Sequence, residues 1–313
     1  MDGSVATIGF FDGVHCGHQF VIGCLVDEAR RRGLQSVVVT FDEHPRKVIA
    51  PHRPSPTERE QYLLTPRDEV RRLILEAGAD RCEVIHFDKE MAQLSARDFM
   101  SKILKEQLCV KVLLMGYDNR FGHRTPQSQE GFNDYVRYGQ ELGIEVKALP
   151  AWGKGPQLSS SAVRHALRDG DVALAAQMLG RHYSITGRVV HGYEEGHRLG
   201  FPTANIDPAS VETLIPASGV YAVAVSSCPT SSPLSPPSSP LSPGMMNIGT
   251  RPTYGSRDLS LEVHLLDFDG DLYGSRLVVT FLQRIRAERT FSSPEELRQQ
   301  LEADREAVKN LNF

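Results

Sequence analysis

Two histidines three residues apart, His15 and His18, close a glycine-rich stretch that runs Thr7-Ile-Gly-Phe-Phe-Asp-Gly-Val-His-Cys-Gly-His18. An apolar run from Val5 to Ile8 leads into it and reads as a strand; Phe20, Val21, Leu25, Val26 and Ala29 follow at helical spacing. A strand, a glycine loop (Gly9, Gly13, Gly17) and a helix N-terminus make an anion site, because the first N–H groups of a helix lack internal partners and carry partial positive charge. Phe10 and Asp12 belong to the same loop. Neither the G-x-x-x-x-G-K-[ST] nor the G-x-G-x-x-G spacing occurs there. Instead, His-x-Gly-His sets two imidazoles beside the phosphates, where they can donate to phosphate oxygens and to a leaving pyrophosphate. That chemistry is nucleotidyl transfer rather than γ-phosphoryl or hydride transfer.

Other segments carry polar groups at meaningful spacing. In Leu158-Ser-Ser-Ser-Ala-Val-Arg164, the serines Ser159, Ser160 and Ser161 stand at a predicted helix start, and Arg164 is placed to neutralise an anion held there. The loop Gly116-Tyr-Asp-Asn-Arg-Phe-Gly122, with Gly116 and Asp118, follows a predicted strand. In Gly200-Phe-Pro-Thr-Ala-Asn205, Pro202 fixes the backbone, and Thr203 and Asn205 alternate onto one side of a strand. A hydroxyl and an amide oxygen are hard ligands suited to Mg²⁺ that also holds ATP phosphates. Gly192, Gly196 and Gly200 allow a flap to close over a nucleotide. Glu262 and His264 share one strand face, opposite Leu261, Val263 and Leu265. The acidic cluster Asp267-Phe-Asp-Gly-Asp271 reads as a hairpin turn rather than a calcium loop.

Two kinds of element must position these residues. Apolar runs at Ser36–Phe41, Cys82–His86, Lys111–Met115 and Ile144–Ala148 alternate with helical patterns near Arg67–Ala77, Ala96–Gln107 and Gly131–Glu141. That order predicts a parallel sheet with helices on both faces and ligands at the carboxyl ends of the strands. Leu158 to Gly180 predicts two short helices. From Tyr183 to Phe281 the pattern becomes short β-rich runs, an all-β sandwich or barrel, and Pro294 to Leu311 predicts a terminal helix capped by Ser292 or Ser293. The expected domains are 1–180 and 181–313. Ser226 to Gly244, rich in Ser and Pro, is expected to be a flexible, partly polyproline-like loop between two strands.

At 313 residues, with 40% apolar and 24% charged residues, the chain is ordinary for a globular protein of one or two domains. A net charge of −4 gives no footprint for nucleic acid; Arg30-Arg31-Arg32 reads as a helix C-terminus. No apolar run predicts a membrane span and no leader is visible. Five dispersed cysteines without a C-x-x-C pair fit a reducing cytoplasm. Oligomeric state stays open between a monomer and a weak oligomer.

Taken together, these segments resemble the bifunctional riboflavin kinase/FMN adenylyltransferase family. Phe11 to His18 is similar to its nucleotidylyltransferase signature, Leu158 to Arg164 to its Ile-Ser-Ser-Thr-x-Ile-Arg motif, and Gly116 to Gly122 to its Gly-x-Asp/Asn-Phe-x-Phe-Gly loop, with Asn119 where an aromatic residue is usual. Gly187 to Asn205 resembles the riboflavin kinase signature, Asn247 to Thr253 a supporting stretch, and Leu261 to Gly274 the segment that carries the base. The resemblance implies a doubly wound, Rossmann-like nucleotidylyltransferase domain and a Greek-key β-barrel kinase domain with a terminal helix. It implies riboflavin, FMN and ATP as substrates, FAD as product and Mg²⁺ with ATP. It assigns the general base to Glu262, phosphate stabilisation to His15, His18, Ser160 and Arg164, nucleotide contacts to Gly187, Gly200 and Pro202, and the cation to Thr203 and Asn205. Two alternatives stand beside it: a flavin- or nucleotide-binding module without turnover, and a kinase whose first half is only a scaffold.

Overall fold

The computed structural model describes residues 3–43, 48, 63–116, 121–123, 130–150, 158–192, 200–227, 242–253 and 256–311. Its contacts divide the chain into two units: 1–55 with 67–157, and 56–66 with 158–313.

The first unit is a five-stranded sheet. Its strands are β1 (Ser4–Ile8), β2 (Gln35–Phe41), β3 (Arg81–Ile85), β4 (Val110–Met115) and β5 (Glu145–Ala148), ordered β3-β2-β1-β4-β5. Every pairing is parallel. Helices α1 (Cys16–Arg32), α2 (Arg67–Glu76), α3 (Ala96–Phe99, widening into a π-helical stretch over Met100–Gln107) and α4 (Phe132–Leu142) connect the strands. The sheet alternates its side chains between two cores. Ala6, Val37, Val39 and Leu113 pack with Phe99, Met100 and Tyr135; Val5, Val38, Val112 and Leu114 pack with Ile22, Leu25 and Ile74. Each fully buried Leu or Ile in these layers contributes about 1.5–3 kcal/mol. The strand order reverses between β1 and β4, which makes that crevice the switch point where ligands bind in such sheets. Helix α1 ends as its sequence predicts: Gly33 turns left-handed (φ 65°), and Arg31 and Arg32 reach back to the buried Glu28, which Lys147 of β5 also holds at 2.9 Å.

The second unit is a closed antiparallel barrel with strand order β10-β7-β6-β11-β8-β9. Its strands are β6 (Ser184–Val190), β7 (Ala204–Ile206), β8 (Gly219–Ser227), β9 (Ser242–Thr253), β10 (Ser256–Leu265) and β11 (Arg276–Arg286). Val189, Ile206, Val223, Ile248, Leu261, Val263, Val279 and Phe281 fill its interior. Helix α7 (Pro294–Lys309) packs Val308 against Phe201, Ala222, Met245 and Leu266.

Two sequence expectations meet different outcomes here. Helices α5 (Ser160–Arg168) and α6 (Val172–Leu179), expected in a domain ending at 180, join the barrel unit, because Val163, Leu167, Val172, Ala175 and Leu179 are buried in the barrel core. At the Ser/Pro segment, β8 and β9 remain paired out to Val225↔Ser242. Ser226, Ser227 and Ser242–Gly244 are therefore strand rather than loop, and residues 228–241 lie outside the described residues.

Candidate functional site

In the first unit the loop after β1 turns through the left-handed region at Phe11 (φ 49°), Gly13 (φ 85°) and Val14 (φ 37°). A β-branched residue rarely adopts such a φ, so the surrounding packing must hold it. Phe11 and Val14 supply that hold, with side chains buried in the core beneath. Gly9 donates its N–H to the Val39 carbonyl at 3.0 Å, and its Cα faces the Phe11 ring. Asp12 is buried. His15 caps α1: its Nδ1 accepts the His18 N–H at 3.3 Å, which leaves the proton on Nε2. The two rings stack with centroids 3.7 Å apart, and Gly17 lies between the two residues. Nδ1 of His18 is buried and has no hydrogen-bond partner among the described residues. Burial, and secondarily His15, push the His18 imidazole well below its ordinary value, so it is neutral. Gly116 follows β4 on the other side of the switch point; Asp118 and Asn119 lie outside the described residues.

Sequence reasoning passed over Arg67. Its guanidinium lies 3.8 Å from the centroid of the Phe10 ring, with Nε and Nη1 buried and lacking a partner among the described residues. Asp12, Glu43 and Asp42 face it and offset part of its burial. No spacing rule links Arg67 to Phe10; only the fold brings them together.

In the second unit, Ser159 caps α5 by accepting the Ala162 N–H at 3.2 Å. Ser160 and Ser161 occupy the first turn, and Arg164 stands one turn on, half-buried.

The barrel carries a second constellation. Register sets Asn205 of β7 opposite Glu262 of β10, and Glu262 opposite Asn247 of β9, so three polar side chains form one row across three strands. Ser260 donates its hydroxyl to Glu262 at 2.8 Å. This row faces away from the Leu261 and Val263 side of β10, which is buried. Glu262, Asn247 and Thr203 line a cleft of about 330 Å³ whose apolar wall includes Phe201, Met245 and Leu301. A second cleft of about 390 Å³ lies between Pro202–Ala204 and the turn Phe268–Tyr273. Thr203 lines both. His264, also in the first cleft, donates from Nδ1 to the Pro202 carbonyl at 2.8 Å; burial lowers its pKa.

Glycines frame the row. A Cβ at Gly192 would overlap the Asn205 carboxamide, so a larger residue there would displace that side chain from the row. Gly200 takes φ 81° at the turn before Phe201. Gly187, expected at a nucleotide, is buried in β6, and a Cβ there would run into Ile206. Gly196 lies outside the described residues. Glu288, Arg286 and Arg289 complete the first cleft and were not singled out in the sequence. Only the fold brings Glu288 to the cleft, where the bare Cα of Gly249 makes room for its carboxylate.

Thr203 and Asn205 fit a hard cation. Both offer neutral oxygens, and the Asn205 Nδ2 points to the Thr203 carbonyl at 3.5 Å, which turns Oδ1 the other way. Among the described residues there is no group of three or more His, Cys, Asp or Glu that could hold a metal ion.

Comparison with known proteins matches a different family model to each half of the chain. A model of FAD synthetase matches residues 1–162, and a model of riboflavin kinase matches residues 179–312. A bifunctional riboflavin kinase/FMN adenylyltransferase from Escherichia coli (strain K12) is 40% identical over 305 residues, 97% of this chain and 91% of the relative. Proteins of the same description from Pseudomonas fluorescens and Bacillus subtilis are 38% and 33% identical, over 99% and 97% of this chain and 93% and 90% of their own. A crystal structure described as a macrolide-efflux protein from Streptococcus pneumoniae matches with a TM-score of 0.83 and 30% identity, over 99% of this chain and 95% of that one. Among the described residues here, no helix is long and apolar enough to cross a membrane.

Proposed function

This chain belongs to the bifunctional riboflavin kinase/FMN adenylyltransferase family, and on that premise we propose that its two reactions are carried by the two constellations just described. The chain phosphorylates riboflavin to FMN with ATP, then transfers an adenylyl group from ATP to FMN, giving FAD and pyrophosphate.

For the kinase reaction, Glu262 takes the proton from the riboflavin 5′-hydroxyl, and the freed oxygen attacks the γ-phosphorus as ADP leaves. The observation that carries this reading is the Asn205–Glu262–Asn247 row beside Thr203, the residue common to both clefts. A flavin in the cleft with Glu262 and a nucleotide in the cleft with Pro202 would meet there. Thr203 and Asn205 would hold Mg²⁺ with the ATP phosphates, where the ion neutralises phosphate charge. The protein's remaining part is alignment of donor and acceptor, the largest lever in phosphoryl transfer.

For the adenylyl reaction, the FMN phosphate is already anionic and needs no strong base. The His15 Nε2–H, His18 and the partial positive charge at the start of α1 would stabilise charge on the α-phosphate and leaving pyrophosphate, with Gly9, Phe10, Asp12, Gly13, Gly17, Gly116 and Asp118 around the nucleotide. The same reading gives phosphate contacts to Ser159, Ser160, Ser161 and Arg164. The first turn of α5 supports it, since its N–H groups and partial positive charge suit an anion. We place the protein in the cytoplasm, where ATP is available and the thiols of Cys16, Cys24, Cys82 and Cys109 stay reduced.

Chromatography of products from riboflavin, ATP and Mg²⁺ tests the division. Wild type should give FMN and FAD. His18→Ala should accumulate FMN, while Glu262→Gln should make neither from riboflavin yet still convert supplied FMN to FAD. FAD formation unchanged by His18→Ala would remove the phosphate-loop assignment, and FMN formation unchanged by Glu262→Gln would remove the base.

A further inference from the structure

His264 stands two residues beyond Glu262 on β10, on the same face, and its geometry gives it a task of its own. The β7–β10 ladder pairs Leu261↔Ile206, Glu262↔Asn205 and Val263↔Ala204. The residue before this pairing is Thr203, and Pro202, preceding it, has no N–H to offer a ladder. The imidazole takes over where the ladder stops: Nδ1 lies 2.8 Å from the Pro202 carbonyl oxygen. A carbonyl only accepts, so Nδ1 carries the proton and Nε2 does not. That carbonyl belongs to the peptide plane that also contains the Thr203 nitrogen, so the bond fixes the direction in which the chain enters Thr203. The ring also meets Phe201 edge-on, with centroids 5.3 Å apart, which fixes the turn one residue earlier.

We propose that His264 is a positioning residue for phosphoryl transfer: by holding the Pro202–Thr203 peptide, its Nδ1–H sets the Thr203 hydroxyl at the junction of the two clefts. This rests on the reading of Thr203 as a ligand of the ATP-bound cation. A side chain that only walled the flavin cleft would affect riboflavin binding; one that sets Thr203 affects the cation and the transfer step.

The test uses the full chain. In ligand-free wild type, nitrogen-15 NMR of the imidazoles should show His264 protonated on Nδ1 with a slowly exchanging proton. In the presence of ADP, Mn²⁺ binding followed by electron paramagnetic resonance should weaken about tenfold in His264→Ala. The kinase kcat of that variant should fall by about 10–100-fold, the scale expected for a misplacement near 1 Å, while the riboflavin KM changes less than about twofold. His264→Asn, whose amide N–H can reach the same carbonyl, should recover most of both; His264→Gln, with its donor one bond further out, should not. An Nε2-protonated imidazole in wild type overturns the proposal. So does wild-type Mn²⁺ affinity in His264→Ala, or a loss confined to the riboflavin KM. Thr203→Val separates the two levels: if Mn²⁺ affinity and kcat survive that change, the reading of Thr203 itself fails, whatever His264 does.

Discussion

His18 shows how one side chain can be fixed by its neighbours before any ligand arrives. Its ring is stacked on His15, its Nδ1 is buried, and its proton affinity is depressed mainly by burial. The consequence for stability has a definite sign. Above pH 6.5 imidazole is neutral in both folded and unfolded chains, and His18 contributes no pH dependence. As pH falls below that value, the unfolded chain takes up the proton and the folded chain resists, so stability is lost with falling pH. Urea unfolding of wild type and His18→Asn between pH 7.5 and 5 should show wild type losing more, by no more than about 2 kcal/mol at the acid end. ATP should shrink the difference, because a polyphosphate beside the imidazole favours the charged form. Parallel pH curves for the two proteins would mean that His18 is solvated rather than buried. The histidine pair was legible in the sequence because type and spacing alone mark it; Arg67 on Phe10 was not, since that contact joins distant segments.

At the scale of elements, α7 supplies Leu297 and Leu301 to the wall of the cleft that holds Glu262, the cleft proposed for the flavin. Ser293 and Pro294 start it as the sequence predicts, with Ser293 Oγ accepting the Glu296 N–H at 3.2 Å and Glu296 accepting from the Ser292 N–H at 2.9 Å. Its attachment was not legible. Asp304 is 1% exposed and receives both Nε and Nη2 of Arg286 on β11, at 2.8–3.1 Å, while Gln300 donates to it at 2.8 Å. Sequence shows Asp304 only as one acid on an amphipathic helix; its partner lies eighteen residues earlier, on another element. Removing one partner of such a buried pair leaves a charge uncompensated and costs about 3–5 kcal/mol, less where the other group reaches solvent, as Arg286 does in part. Asp304→Asn is therefore expected to lower the unfolding midpoint and, by loosening the wall that carries Leu297 and Leu301, to raise the riboflavin KM several-fold. FMN-to-FAD conversion should be unchanged. A variant with normal riboflavin KM would show that α7 does not shape the cleft.

For the whole molecule, local pattern and long-range packing divide the chain differently. The shift from alternating strand and helix to short strands falls near Arg181, and pattern alone can see only that shift. Which core a helix joins depends on contacts far along the chain, and α5 and α6 join the barrel. So does a segment from the first half: Leu64 is buried in the barrel core, Leu63 accepts the Leu214 N–H at 2.8 Å, and Arg181 donates to Thr65 at 2.9 Å. The barrel unit is thus discontinuous in sequence, which fixes an order of stability for its fragments. A fragment 158–313 lacks Leu64 and should be weaker than the barrel in the full chain by about 2–5 kcal/mol, the cost of emptying one Leu site. A fragment 181–313 also loses Val163, Leu167, Val172, Ala175 and Leu179, all fully buried. Several such vacancies exceed the 5–15 kcal/mol or so that holds a typical domain together. Circular dichroism and urea titration should therefore find 158–313 folded, with kinase activity, and 181–313 unfolded. Equal midpoints for the two fragments would mean that α5 and α6 add nothing to the barrel, and that its core closes on the strands and α7 alone.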